Sequence, residues 1–171
     1  MQFTFRPVTA AEASAIAGWR YGGPYAMYDG SDDPALMAEL TDPANPYYAA
    51  LTPEGDLAGY FCYGPPATVG GERHRDAYGG EGVLDVGLGL RPDLTGRGLG
   101  GEFVRAGLDF ALARFASRRF RLSVAAFNRR AITVYERAGF RREGAITVEE
   151  PDGGREFVIM SRDAAPDAAT E

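Results

Sequence analysis

The spacing of hydrophobic and polar positions predicts a chain that alternates between strands and helices. Residues 2–8 alternate and predict a strand, and residues 10–19 predict a helix capped by Thr9, with Glu12 placed for a capping box. The later pattern predicts a helix over 34–40, strands over 47–52, 57–63 and 83–90, a helix after residue 100, a strand over 120–127, a helix over 129–138, and two strands around the turn 151–154. This order is typical of an α/β domain, or α+β in some schemes.

Two segments lie outside this pattern. Residues 64–82 have no apolar period and predict a long loop of the kind that is functional or mobile. Residues 164–171 are small and polar and predict a disordered tail. The sequence therefore predicts one domain over 1–163.

Composition narrows the class of function. The net charge of −6 is the wrong sign for a nucleic-acid binder and favours cationic small molecules or basic peptide ends. All basic residues are arginine, which excludes a Walker A loop and Schiff-base chemistry, since both need lysine. One cysteine, Cys62, and one histidine, His74, predict no disulfide and no metal site. Without a signal-peptide layout or a run of about 20 apolar residues, the expected location is cytoplasmic, with no membrane partner.

A glycine-rich loop carries the first chemical signal. Residues 96–101, GRGLGG, satisfy the G-x-G-x-x-G pattern of dinucleotide folds and precede a predicted helix. Such a loop exposes backbone N–H groups at a helix N-terminus, where an anion binds. A dinucleotide fold is rejected, because five residues separate the strand from Gly96 and the next strand ends without a carboxylate for the ribose.

Residues 83–140 resemble the core of the GNAT superfamily of acetyltransferases, which use acetyl-coenzyme A. The family's loop motif Q/R-x-x-G-x-G/A is matched over Thr95–Gly100 except at Thr95, and its motif N-x-x-A-x-x-x-Y-x-x-x-G-F is matched by Asn128, Ala131, Tyr135, Gly139 and Phe140. The resemblance implies a twisted, mostly antiparallel mixed sheet of about seven strands flanked by about four helices, with splayed fourth and fifth strands. Thr95 departs from the usual Gln/Arg, so backbone amides are expected to make most of the phosphate contacts.

The resemblance also implies the roles of particular residues. The pantetheine arm would pair with the strand that contains Gly87, and the pyrophosphate would lie on the glycine loop. The residues expected to contact acetyl-coenzyme A are Leu88, Gly89, Leu90, Thr95, Gly96, Arg97, Gly98, Leu99, Gly100, Gly101, Asn128 and Ala131. Gly87 and Gly89 could instead accommodate packing, and Asn128 could serve only as a helix cap.

Acetyl transfer to an amine needs a neutral nucleophile, a stabilised oxyanion and a protonated leaving thiolate. Tyr135 is the expected general acid, the N–H of Leu88 could polarise the carbonyl, and Asp85 is the candidate base, through a water because Asp is short. Glu81 is the alternative base or acceptor contact. Tyr135 could also be a core residue, and Asp85 a solvated strand-end carboxylate.

The acceptor is less defined by the sequence. Trp19, Tyr25 and Tyr28, together with Tyr21, could line an acceptor cleft or pack the first helix on the sheet. The predicted function is an N-acetyltransferase acting on the primary amine of a small molecule or a peptide N-terminus, in a chain that could form a homodimer. The alternative is a non-catalytic acyl-coenzyme A sensor or partner-binding domain on the same fold; acyl transfer to a hydroxyl and a longer acyl donor are also open.

Overall fold

The computed structural model describes residues 1–165, and its helices and strands follow the predicted order. The strands are β1 (Thr4–Pro7), β2 (Tyr48–Leu51), β3 (Leu57–Tyr63), β4 (Val83–Leu90), β5 (Arg119–Ala125), β6 (Arg141–Glu150) and β7 (Gly153–Asp163), and the α-helices are α1 (Ala10–Ala17), α2 (Pro34–Leu40), α3 (Gly100–Arg114) and α4 (Arg129–Arg137). The strand order in the sheet is β1-β2-β3-β4-β5-β7-β6. Strand β5 runs parallel to β4 and antiparallel to β7, so the predicted mixed sheet is confirmed.

Local capping signals in the sequence set several helix ends. Thr9 and Glu12 form the predicted capping box at the start of α1. Asn128 accepts a hydrogen bond from the N–H of Ala131 at 3.1 Å and caps α4. After α4, Gly139 adopts a φ of +91°, which suits a residue without a side chain at a helix C-terminus.

The prediction of an irregular loop over 64–82 is wrong in part. This segment contains two short 3₁₀ helices, Pro65–Ala67 and Gly71–Ala77. Such turns bond residues three apart and bury few side chains, so they leave no apolar period in the sequence.

The predicted tail over 164–171 begins with an ordered residue. Ala164 is buried, and its N–H donates to the carbonyl of Arg118 at 2.9 Å. Ordered structure therefore extends past the predicted boundary at 163. Residues 166–171 of that tail lie outside the described part of the chain.

The residues form two compact units, each with its own core. The first comprises Met1–Cys62 and Leu88–Ala106. Its core includes Phe103 near the start of α3, whose ring lies 5.5 Å from Phe3 and 4.7 Å from Phe61. Phe103 approaches β3 at Gly59, where a Cβ would lie only 2.4 Å from the ring. The N-terminal turn of α3 is therefore fixed by tight aromatic packing.

The second unit comprises Tyr63–Gly87 and the residues from Gly107 onward. One face of its strands is apolar and buried, and the other also carries buried polar groups. The buried apolar residues include Leu108, Phe120, Leu122, Val124, Ile132, Phe140, Val158 and Met160. Tyr63 enters this core and donates its hydroxyl to the carbonyl of Gly107 at 2.7 Å.

Candidate active site

The glycine loop presents backbone rather than side chains to solvent. Gly96 and Gly98 have φ values of +70° and +79°, in the left-handed region that favours glycine. Both residues are exposed, and a Cβ on Gly98 would meet nothing within 4 Å. The loop leads directly into α3 at Gly100, where N–H groups lack helical partners and the helix dipole favours negative charge. The loop therefore fits a phosphate group.

Thr95 uses its hydroxyl and its N–H in local hydrogen bonds. Its hydroxyl donates to the carbonyl of Pro92 at 2.7 Å, and its N–H donates to the same carbonyl at 3.2 Å. These bonds close the 3₁₀ turn Pro92–Leu94 ahead of the loop. This geometry agrees with an anion contact made mainly by backbone amides.

Arg91 anchors the base of the loop to β3. Its N–H donates to the carbonyl of Ala58 at 2.8 Å, and its guanidinium donates to the carbonyl of Leu57 at 2.8 Å. The guanidinium also forms a forked pair with Asp93 at 2.6 and 3.1 Å. Hydrogen bonding from Arg91 lowers the pKa of Asp93, so this carboxylate stays ionised and paired.

Two arginines give the loop positive charge, and only one was predicted. Arg97 is exposed on the loop itself. Arg105 lies one turn into α3, and its Nη2 atom is 3.5 Å from the position that a Cβ on Gly101 would occupy. The spacing of four residues between Gly101 and Arg105 on a helix is the sequence signal that could have identified it.

The end of β4 is closely packed by aromatic residues. A Cβ on Gly89 would lie 2.4 Å from the ring of Tyr60, so this glycine makes room for that ring. The carbonyl of Leu90 accepts a hydrogen bond from the hydroxyl of Tyr21 at 2.8 Å. Gly89 therefore has a packing role, whatever its contact with the coenzyme, and the Leu90 carbonyl already has one partner.

The aromatic segment after α1 divides into packed and exposed members. Trp19 is half-buried and stacks on Tyr60, with ring centres 6.1 Å apart. Tyr28 is 37% exposed and meets Tyr21 edge-on at 6.3 Å, while Tyr25 is half-buried. Trp19 thus has the packing role that sequence analysis left open, and Tyr28 retains a solvent-facing ring.

Tyr47 and Tyr60 extend the aromatic cluster of Trp19, Tyr21, Tyr25 and Tyr28 beyond the predicted set. Tyr47 packs on Tyr60 at 5.9 Å and donates its hydroxyl to Glu39 at 2.6 Å. Burial is the main cause that raises the pKa of Tyr47, and burial together with Asp29 raises the pKa of Tyr21 to about 12. Both phenols therefore stay protonated near neutral pH. Their clustering depends on strand pairing, which the local sequence does not show.

Asp85 is buried and fully engaged by Arg121. The guanidinium donates to the two carboxylate oxygens at 2.7 and 2.9 Å, and the two side chains are only 11% and 9% exposed. Hydrogen bonding from Asp85 raises the pKa of Arg121. A substrate amine or a relay water would have to compete with this pair. The solvated carboxylate considered from the sequence is wrong, and the geometry disfavours the proposed base.

The segment 64–82 is tied to β5 at its centre. The hydroxyl of Tyr78 is 2.7 Å from the hydroxyl of Ser123 and accepts a hydrogen bond from the N–H of Val69 at 3.1 Å. Arg121 lies over the Tyr78 ring at 5.1 Å and donates to the carbonyl of Gly79 at 3.0 Å. This segment is therefore held down in its middle, which limits any movement as a lid.

Glu81 lies where this segment meets β4. Its side chain is exposed, and Gly79, Gly80 and Gly82 beside it all have positive φ. Gly82 accepts hydrogen bonds from the N–H groups of Arg118 and Arg119 at 2.7 and 3.1 Å. The carboxylate thus stands on an anchored turn and remains accessible.

Tyr135 projects from the predicted motif on α4. It is half-buried, and its ring meets the buried Phe140 edge-on at 6.1 Å. Asn128 uses its side-chain oxygen to accept a hydrogen bond from the N–H of Ala131 and so caps the start of this helix. The motif therefore builds a capped helix and orients a tyrosine ring with part of its surface in solvent.

The ladder between β4 and β5 is short. It joins Val83–Asp85 to Arg119–Arg121, while β5 continues to Ala125 against β7. The carbonyl of Asp85 accepts a hydrogen bond from the N–H of Gly64 at 2.8 Å. The pairing of β4 with β5 thus ends at Asp85, as the predicted splay of these strands requires.

Comparison with known proteins decides the family. The profile of the acetyltransferase (GNAT) family matches residues 13–140, which include the glycine loop and the Asn128–Phe140 motif. The chain belongs to this family. The GNAT resemblance inferred from the two motifs is confirmed, and so, at the level of the family, is the prediction of an acyltransferase.

Solved GNAT-fold structures cover nearly the whole chain. An aminoglycoside acetyltransferase, AAC(6')-Ib, in complex with ribostamycin and coenzyme A is 22% identical, with a TM-score of 0.75 over 100% of this chain and 99% of that one. A spermidine N-acetyltransferase chimera from Vibrio cholerae is 17% identical, with a TM-score of 0.72 over 96% of each chain. At these identities the likeness establishes the fold.

One curated relative matches part of the chain. A kanamycin resistance protein from Rhizobium radiobacter is 35% identical over 69 residues, which are 40% of this chain. The match spans 62% of that relative's length.

Residues 1–165 lack two kinds of feature. No helix there has the length and apolar character to cross a membrane. No group of three or more His, Cys, Asp or Glu residues there is arranged to hold a metal ion.

Proposed function

We propose that this GNAT protein transfers an acetyl group from acetyl-coenzyme A to an amino group of a small polyamine, with aminoglycosides as the first class to test. The observation that carries the proposal is the family match through residue 140, which includes an exposed loop that leads into a helix N-terminus. Acetyl-coenzyme A supplies the activated acyl group and carries a pyrophosphate, and the loop offers backbone N–H groups that a pyrophosphate can bind.

The coenzyme would bind chiefly through backbone groups. The N–H groups of residues 96–101 would contact the pyrophosphate, and Arg97 and Arg105 would add positive charge. The backbone at Leu88–Leu90 would pair with the amides of the pantetheine arm. Asn128 and Ala131, at the start of α4, would contact the same arm. The hydroxyl of Thr95 already donates to the carbonyl of Pro92. This hydrogen bond supports a pyrophosphate contact made by backbone N–H groups rather than by the Thr95 side chain.

Transfer would proceed by direct attack of a neutral amine on the thioester carbonyl. The new C–N bond forms, the C–S bond breaks, and the thiolate receives a proton. We propose Tyr135 as the donor of that proton, since its half-buried ring is oriented by Phe140. The N–H of Leu88 would stabilise the negative charge on the carbonyl oxygen.

The amine must lose a proton before it attacks. An alkyl ammonium has a pKa near ~10.4, so only a small fraction is neutral at pH 7. Asp85 is paired with Arg121 on both oxygens, whereas Glu81 is exposed. We therefore assign proton removal to Glu81, directly or through water, and give Asp85 a positioning role.

Charge and relatives support a polycationic acceptor. The chain carries a net charge of −6, and Asp29, Asp32 and Asp33 follow the aromatic segment that ends at Tyr28. Exposed aromatic rings and carboxylates together attract ammonium groups. One relative is named a kanamycin resistance protein. Two structural neighbours are named as an aminoglycoside acetyltransferase and a spermidine N-acetyltransferase. Tyr28 and Trp19 would contact the acceptor, with Tyr25 beside them.

Thiol release from acetyl-coenzyme A tests the proposal. The purified protein is incubated with kanamycin, ribostamycin, spermidine and a peptide with a free α-amino group, and coenzyme binding is measured separately by calorimetry. Release with an aminoglycoside or with spermidine supports a small polyamine as the acceptor and identifies its class, whereas release with the peptide alone would show that the acceptor is a peptide N-terminus and would overturn the proposed class. Coenzyme binding without release for any amine would overturn the enzyme assignment and favour an acyl-coenzyme A sensor.

A further inference from the structure

Tyr135 lies in the last turn of α4, and this turn has a closed hydrogen-bond pattern. The N–H of Phe140 donates to the carbonyl of Tyr135 at 3.0 Å, and the N–H of Gly139 donates to the carbonyl of Glu136 at 3.0 Å. With Gly139 at a φ of +91°, these two bonds form a Schellman motif that begins at Tyr135 and ends at Phe140. A hydrophobic contact between these two positions commonly accompanies the motif. The edge-on contact of the Tyr135 and Phe140 rings is therefore part of the helix end.

The Schellman bonds leave the carbonyl of Ala138 to be satisfied from outside the helix. Ala138 is the C-cap of α4, is only 8% exposed, and has a carbonyl without a partner in the helix. Arg162, on β7, donates from Nη1 to this carbonyl at 2.7 Å. The same nitrogen lies 3.9 Å from the position that a Cβ on Gly139 would occupy. The guanidinium therefore lies against the turn that joins Tyr135 to Phe140.

Arg162 is suited to this contact by its charge and by its place in the sheet. The helix dipole favours a positive charge near the C-terminus of a helix. Arg162 pairs with Phe120 of β5 in the antiparallel ladder, so its backbone is part of the sheet. The side chain is half-buried, and its Nε atom donates to the carbonyl of Asp163 at 2.9 Å. Two hydrogen bonds thus hold the guanidinium at the end of α4.

Strand β7 also holds the other end of α4. The N–H of Ala126, just before the cap Asn128, donates to the carbonyl of Glu156 at 2.9 Å. Glu156 and Arg162 belong to the same strand. One strand therefore fixes the helix near its first residue and at its last turn, and the position of Tyr135 depends on both attachments.

We propose that Arg162 is a positioning residue for acetyl transfer, which holds the phenol of Tyr135 in place through the Schellman turn. This inference rests on the proposed role of Tyr135 as the proton donor to the thiolate. A proton donor must lie within hydrogen-bond reach of its acceptor, and a displacement of about 1 Å is enough to slow a reaction about 100-fold. In this role Arg162 acts only through α4 and touches no reacting atom.

Kinetics in two backgrounds test this role. Arg162→Met removes the hydrogen-bond donor and the charge. It should lower kcat at least about tenfold, while the calorimetric affinity for acetyl-coenzyme A changes by less than about twofold. In the Tyr135→Phe background the same substitution should change kcat by less than about twofold, since the hydroxyl that Arg162 positions is absent. An equal loss of kcat in both backgrounds would show a general structural effect and would overturn the proposal.

Two further variants accompany Arg162→Met. Arg162→Lys keeps a positive charge and an N–H donor, and should have a kcat within about threefold of wild type, because one hydrogen bond to a carbonyl does not need the forked guanidinium. Arg114→Met removes an exposed arginine from the last turn of α3 and should leave kcat unchanged. If Arg162→Lys were as slow as Arg162→Met, positioning through this hydrogen bond would be wrong.

Fluorine NMR reports on the Tyr135 ring independently of turnover. The protein is labelled with 3-fluorotyrosine, and the signal that disappears in Tyr135→Phe is assigned to Tyr135. Arg162→Met should shift or broaden this signal, and Arg114→Met should leave it unchanged. If Tyr135→Phe kept wild-type turnover, the proposed proton donor would be wrong, whereas the fluorine signal would still show whether Arg162 holds the ring. A Tyr135 signal that is unchanged in Arg162→Met would overturn the inference.

Discussion

The substitution Asp85→Asn separates a structural role from a catalytic one. It keeps the size of the side chain and removes its charge, so Arg121 is left buried without its bidentate partner. Both side chains are about nine-tenths shielded from solvent, and water can replace little of the lost interaction.

The expected loss of stability in Asp85→Asn depends on the contacts that Arg121 keeps. Removal of one partner from a buried ion pair costs about 3–5 kcal/mol. Arg121 would keep its hydrogen bond to Gly79 at 3.0 Å, its contact with the Tyr78 ring at 5.1 Å and the attraction of Glu143. We therefore expect the low end, about 3 kcal/mol, which corresponds to a fall in Tm of about 6–12 °C for a chain of this length.

Urea and thermal unfolding measure this loss, with coenzyme affinity as a second readout. Asp109→Asn, which changes an exposed carboxylate on α3, should stay within about 0.5 kcal/mol of wild type. The double variant Asp85→Asn/Arg121→Met should cost less than the sum of its single changes, because no lone charge remains buried. If Asp85→Asn left stability unchanged but abolished turnover, the structural account would fail and Asp85 would regain the role of base.

Four further substitutions test the site. Tyr135→Phe should lower kcat about 100-fold with unchanged coenzyme affinity, and unchanged turnover would remove Tyr135 from the mechanism. Gly98→Glu should bind acetyl-coenzyme A at least about tenfold more weakly than Gly98→Ala, which shares the backbone strain at a φ of +79° but adds no charge; equal calorimetric affinities would exclude the loop as the phosphate site. Gly89→Ala should lose about 1–3 kcal/mol in urea unfolding, because its Cβ would lie 2.4 Å from the Tyr60 ring, and wild-type stability would contradict that packing. Tyr21→Phe should lose less stability between pH 10 and 12 than wild type. The pKa of Tyr21 is raised to about 12 in the fold, so its contribution to stability is complete below pH 10 and is lost as the pH rises from 10 to about 12; identical pH profiles would contradict this.

Local chemistry made much of the fold predictable. Thr9 with Glu12, Asn128 and Gly139 are short-range signals whose hydrogen bonds and dihedral angles depend on residues within a few positions. The glycine loop is likewise local, because positive φ and missing side chains are properties of Gly96 and Gly98 themselves. These features were accessible without knowledge of strand pairing.

The partners of Asp85, Tyr78 and Gly89 could not be predicted in the same way. Asp85 meets Arg121 36 residues away, and Tyr78 meets Ser123 45 residues away, only because β4 and β5 pair in one register. The approach of Tyr60 to Gly89 similarly depends on the order of strands in the sheet. A carboxylate or glycine in a sequence shows what it can do, but its partner depends on tertiary structure.

The stacking of Trp19 on Tyr60 gives the protein a built-in optical reporter. Trp19 is the only tryptophan of the chain, so its fluorescence comes from one known place. Tyr60, which Trp19 contacts, packs in turn over Gly89 of β4, the strand proposed to pair with the pantetheine arm. A ligand that shifts this strand should alter the indole emission, so binding could be followed without a label.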